Sequence, residues 1–103
     1  MEKPTASEIE KTLQSFFSSY DPLVMKVFPS KTRKQYVAYC IISGCFEDGI
    51  CYTEKEVNEI LASVHPDFAT IRRGLVDYGL LRRTTDCSSY WLVSENKESC
   101  EQS

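Results

Sequence analysis

Histidine occurs once in this 103-residue chain, and glycine only four times. These two shortages remove whole classes of chemistry. His65 has no second histidine with which to share a metal, and it precedes Pro66 in a loop, so it reads as a structural or solvated side chain. The glycines form no cluster, so there is no phosphate-cradling loop. Neither a Ser-His-Asp arrangement nor a helical carboxylate pair suggests a catalytic centre. The expectation is a protein that is not an enzyme and uses no cofactor.

Cysteine is not scarce, but its spacing lacks what a zinc site needs. Cys40, Cys45, Cys51, Cys87 and Cys100 make an odd number, and no C-x-x-C pair occurs. The plain reading is reduced thiols, mostly acting as small buried hydrophobes, with Cys100 exposed in a polar tail. Cys45 and Cys51 flank a turn and can approach one another. A thiol or metal sensor built around Cys40, Cys45 and Cys51 is therefore a minor alternative. No apolar run is long enough to cross a bilayer. Met1-Glu2-Lys3-Pro4-Thr5 is polar and carries no signal-peptide pattern. A cytoplasmic protein with no membrane partner is expected.

Positive charge is also in deficit. Twelve lysines and arginines face 15 acidic residues, a net charge of -3. Affinity for DNA is built largely from cations neutralising phosphates, so the total has the wrong sign and any DNA contact must come from a local patch.

What is present is an ordinary globular composition, 42% apolar and 26% charged, of a length that suits one domain with one modest core. The expected organisation is a flexible N-terminus (1–5), a single winged-helix-like domain (6–93) and a flexible polar tail (94–103). A first helix is predicted from about Ala6 to Ser19, capped by Thr5 or Ser7, with the apolar stripe Ile9, Leu13, Phe16 and Phe17. Leu23 to Phe28 reads as a short strand or extended segment stopped by Pro29. Ser30 is the natural cap of a second, central helix from about Lys31 to Cys45. Glu47-Asp48-Gly49 signals a turn, and Ile50-Cys51-Tyr52 is β-prone. Thr53 with Glu56 makes a capping box for a third helix that presents Val57, Ile60 and Leu61 to the core and cannot easily pass His65-Pro66. Asp67 caps a fourth helix, about Phe68 to Tyr78, closed by Gly79. Leu80 to Thr85 and Ser89 to Val93 then form a hairpin. The fold class is α+β: a winged helix-turn-helix with an additional N-terminal helix and a C-terminal β-hairpin wing.

Several of these residues carry a resemblance. Tyr52-Thr53-Glu54-x-Glu56-Val57-Asn58-x-Ile60-Leu61, Asp67, Arg72-Arg73-x-Leu75-Val76-Asp77, Leu80, Arg82 and Tyr90-Trp91 resemble the bacterial domain-of-unknown-function family numbered 2087. The match covers roughly Pro22 to Val93, with Pro29 and Lys31-Thr32-Arg33-Lys34 also falling where the family has similar residues. The resemblance implies a winged-helix fold in proteins often labelled transcriptional regulators. It supplies no catalytic residues.

The fourth helix carries the functional reading. At about 100° per residue, Phe68, Ile71, Leu75 and Tyr78 share one face, while Ala69, Arg73, Val76 and Asp77 share the other, with Thr70 and Arg72 on the flanks. Thr70 and Arg73 fit contacts to double-stranded DNA, with Arg82 and Arg83 near the wing and Lys31, Arg33 and Lys34 as phosphate contacts. Asp77 does not fit, and it can instead pair with Arg73. Arg72 is expected to tie the two helices together through Glu54, Glu56 or Glu59, with Glu56 the candidate partner. Trp91 and Tyr90 alternate across the last strand, so one should be buried and the other more exposed. Trp91 is the expected core anchor, and Tyr90 is available for base stacking or a partner.

The leading function is a transcription-regulator-like DNA-binding module. The rival is a protein–protein interaction module of winged-helix shape without DNA binding. Glu54, Glu56 and Glu59 favour the rival, because the third helix crosses the DNA backbone in such folds. So small and acidic a module would bind DNA as a homodimer. The stripe on the first helix is a candidate dimer surface, although packing within the chain is its default role.

Overall fold

Thr5 starts the first helix through a reciprocal pair of hydrogen bonds. Its hydroxyl accepts from the Glu8 backbone N–H at 3.1 Å, and its own N–H donates to the Glu8 carboxylate at 3.0 Å. The computed structural model describes residues 2–93. The tail 94–103 and its Cys100, together with Met1, lie outside the described residues.

Helix α1 runs Ala6–Phe16 and stops three residues before the expected Ser19. Phe17–Tyr20 is instead a strand, β1, paired antiparallel with β2, Leu23–Met25. Phe17 lies opposite Met25, and both are buried. The Ser19 hydroxyl donates to the Pro22 carbonyl at 2.6 Å and closes the turn between the strands. Phe17 continues the helical spacing of Leu13, but it reaches the core through a strand. Packing within the chain accounts for three residues of the amphipathic stripe: Phe17 belongs to the core, and Leu13 and Phe16 pack against it.

Helix α2 spans Thr32–Ser43. Its N-cap is Lys31, not Ser30, and no side chain caps it. Gln35 steadies the entry instead, donating its amide N–H to the Pro29 carbonyl at 3.1 Å. Tyr36, Val37, Ala38, Tyr39 and Ile42 are buried, as a central helix requires. Gly49 then adopts a left-handed φ of 79° in the expected turn. Tyr52 exchanges two backbone hydrogen bonds with Tyr90, 2.8 and 2.7 Å, as an isolated bridge.

Helix α3, Glu54–Ala62, has the expected capping box. Thr53 accepts from the Glu56 N–H at 3.1 Å and donates its own to the Glu56 carboxylate at 2.8 Å. Val57 and Leu61 are completely buried. Helix α4, Phe68–Asp77, is capped by Asp67 and followed by Gly79 at φ 78°. It leads into a hairpin of β3, Leu81–Arg83, and β4, Tyr90–Leu92. The strands are shorter than expected, because Thr84, Asp86 and Ser88 tie the loop by side-chain hydrogen bonds.

Among the described residues the architecture is thus mixed α+β, with four helices and two small antiparallel hairpins. Ile42, Val57, Leu61, Ile71, Leu75 and Leu81 form the centre of the core. Tyr90 joins it, while Trp91 is buried outside that cluster. The expected exposure difference is therefore absent. Tyr90 is the core anchor, and at 2% exposed it has no face left for base stacking. Among the described residues no helix is long and apolar enough to cross a membrane.

Candidate nucleic-acid interface

Burying Ile71 and Leu75 leaves the other side of α4 facing outward. Arg73 is exposed there, one position past Arg72, and the two neighbours do different things. Arg72 turns toward α3. Its guanidinium hydrogen-bonds the Asn58 side-chain oxygen and lies 3.4 Å from the Glu54 carboxylate. The helix–helix tie expected of Arg72 is present, but the acid is Glu54. Glu56, the expected partner, is occupied by the Thr53 cap one turn into the helix. Asn58 was not singled out from the sequence; its position one turn after Glu54 on the same helix face is the signal that would have found it.

Arg73 has no hydrogen-bond or ion-pair partner among the described residues, and no Arg73–Asp77 pair forms among them. Arg82, on β3, is likewise exposed and unpaired among them. Arg83 folds back on the hairpin, donating to the Thr84 carbonyl at 3.2 Å and the Cys87 sulfur at 3.3 Å. Val76 joins these side chains into one surface. On one side of it a cleft of about 200 Å³ is lined by Arg72, Arg73 and Arg83, and by Glu54 and Asp77. On the other side, Arg82 and Arg83 line a second, more open cleft. Helix and hairpin therefore share a band of guanidinium groups, with the Glu54 and Asp77 carboxylates among them in the first cleft. Such forks suit phosphates and guanine edges.

Thr70 is less available. Its hydroxyl donates to Asp67 at 2.8 Å, and its N–H is capped by the same carboxylate. It lines, with Arg73 and Asp77, a shallow cleft of about 360 Å³ against α2. Gln35 and Tyr39 form the α2 wall, and the Tyr78 hydroxyl donates to Gln35 at 2.8 Å.

The remaining candidates lie elsewhere, beside α1. Arg33 is bound bidentately by Glu8 at 2.9 and 2.8 Å and also donates to the Glu2 carbonyl at 2.7 Å. That pairing holds the Glu8 carboxyl down at about 2 and pushes the Arg33 guanidinium up. Arg33 is thus an internal ion-pair residue, not a free phosphate contact. Lys34 stands over the Phe16 ring, 6.0 Å from its centroid, and Lys31 is exposed. Lys31, Arg33 and Lys34 line a groove of their own, separate from the clefts beside Arg73.

Cys40, Cys45 and Cys87 are free thiols, whereas Cys51 is disulfide-bonded, so the expectation of reduced thiols fails at Cys51 and Cys45 is not its partner. Burial pushes the Cys40 thiol up, the wrong direction for a reactive thiolate. Among the described residues no group of three or more His, Cys, Asp or Glu side chains is placed to hold a metal.

Comparison with known proteins adds one relationship. No curated protein and no solved structure matches the chain. The model of the family described as "Uncharacterized protein conserved in bacteria (DUF2087)" matches residues 24–92, which takes in α2, α3, α4 and the Arg82–Arg83 hairpin and leaves out α1. By that match, the chain belongs to the DUF2087 family.

Proposed function

We propose that this chain is a winged helix-turn-helix module that binds double-stranded DNA in the manner of a transcription regulator. The element order supports the reading: α2, a single β-bridge at Tyr52, α3, α4, then a hairpin whose second strand receives that bridge. In this frame α4 is the groove-reading helix and β3–β4 the wing. The observation that carries the proposal is the band of Arg73, Arg82 and Arg83 around Val76, of which Arg73 and Arg82 have no partner among the described residues.

The acidic α3 opposes it less than its composition suggests. Glu54 is offset by its pair with Arg72, whereas the Thr53 cap fixes Glu56 in place without adding positive charge, and Glu59 has no ion-pair partner among the described residues. Binding should still be weak and salt-sensitive, given the net charge of -3. Fluorescence anisotropy against random duplex at low salt tests this. Salt-sensitive binding is expected, with a large loss in Arg73→Glu at unchanged melting temperature. No salt-sensitive binding would remove the proposal.

A second reading, a protein-interaction module, is favoured by Asp77, which sits beside Arg73 in two of the clefts. A pull-down that recovers a protein partner and no nucleic acid would support it.

A further inference from the structure

We propose that the groove between α1 and α2 is a binding site for a small organic anion: one charged head on a short apolar body. The groove encloses about 220 Å³. Phe16 and Val37 give it an apolar floor, and Lys11, Lys31 and Lys34 stand around it. The lysines are the excess charge, because the only acid lining the groove among the described residues, Glu8, is already neutralised by Arg33 at 2.8 Å. Among the described residues none of the three lysines has a carboxylate partner. An ammonium held over an aromatic ring, as Lys34 is over Phe16, keeps its charge next to apolar surface.

An independent feature points to a ligand. Thr12 is the one buried polar residue among those described, at 5% exposed, and it lines this groove. No hydrogen bond among the described residues involves its hydroxyl. The hydroxyl is not sealed in, because no enclosed side-chain polar atom among the described residues lacks a partner, so it stays open to the groove it lines and free to meet a ligand there. An open hydroxyl beside an apolar floor, with three cations around them, matches an amphiphilic anion. The volume is below the usual range for drug-sized ligands, which limits the body to a short chain or single ring.

The groove joins α1, outside the matched family segment, to the start of α2, inside it, and it lies beside none of Thr70, Arg73, Arg82 or Arg83. The proposal therefore stands or falls separately from DNA binding.

The test is a titration of the full chain with hexanoate and with hexyl phosphate, followed by amide ¹H–¹⁵N chemical shifts. Hexanol and inorganic phosphate serve as controls. The expected result is saturable shifts confined to α1 and the first half of α2, from at least one of the two anions. Saturation by hexanoate alone, hexyl phosphate alone or both identifies the head group and supports the site. Affinity should fall about tenfold in Lys34→Gln and more weakly in Thr12→Val, with the remaining spectrum unchanged. Three results would overturn the proposal: no saturable shift with either anion, shifts centred elsewhere, or equal binding of hexanol. Undiminished binding in Lys34→Gln and Lys31→Gln would do so as well.

Discussion

Gly74 lacks a β-carbon for a reason that lies on the neighbouring helix. A methyl group there would fall 2.7 Å from Cε2 of Tyr39 and closer still to the end of that ring. Tyr39 is itself buried and packed against the tilted ring of Tyr78, centroids 5.5 Å apart, so it has little room to retreat. Helix propensity alone favours Gly74→Ala by about 1 kcal/mol, whereas overpacking costs about 1–3 kcal/mol. A lowered melting temperature is therefore expected, and an increase would mean that Tyr39 swings away freely. The same residue-by-residue logic separates Arg72 from Arg73. Arg72→Met strips Glu54 and Asn58 of their partner and should cost about 1–3 kcal/mol. Arg73→Met touches no partner among the described residues and should stay within about 0.5 kcal/mol. Urea denaturation of the two variants measures the difference, and equal losses would contradict the assigned roles.

At the level of elements, one local device with a direct consequence is the Thr53–Glu56 box. It sets where α3 begins and so how that helix meets α4. Thr53→Ala should cost about 1 kcal/mol, and adding Glu56→Ala should cost less than the two single changes combined. Thermal melts of the three variants check this. Such devices were legible from sequence because they are short: Thr53 with Glu56, Asp67 before α4 and Gly79 after it lie within one turn of the ends they define. Where the sequence misled, the deciding partner was distant or the periodicity ambiguous. Phe17 sits four residues from Leu13 and so prolonged a helical pattern, but its pairing with Met25 draws it into a strand. Arg33 looked like a free cation because Glu8, 25 residues earlier, could not be assigned to it from spacing. The inward turn of Arg72 follows from its place at the edge of the core face, but choosing Glu54 over Glu56 and Glu59 requires knowing that the cap already holds the Glu56 carboxylate. Thr12 gave no signal at all, since its enclosure arises only when α2 docks on α1.

For the molecule as a whole, α1 stands apart from the matched family segment and is joined to it by charge as well as by packing. Arg33 reaches from α2 to Glu8 on α1 and to the backbone before it, so this one ion pair clamps the extension to the domain. Glu8 titrates at about 2 when folded against an ordinary value of 4.5. A carboxylate held below its unfolded value stabilises the folded state fully above the unfolded value. That contribution fades as pH falls toward the folded one. Asp86 acts in the same direction, since Thr84 and Ser88 hold its carboxyl at about 2. Stability should accordingly decline as pH drops from about 4.5 to about 2, with no comparable change from these groups above that window. Glu8→Gln isolates the ion pair, because a glutamine oxygen can still accept the Thr5 N–H and preserve the capping box while carrying no charge. Against the wild type, the variant should be less stable at neutral pH and lose less on acidification. Urea midpoints at a series of pH values, read through the fluorescence of the single buried Trp91, supply the comparison. Parallel pH profiles for the two proteins would mean that Glu8 and Arg33 meet without holding α1 in place.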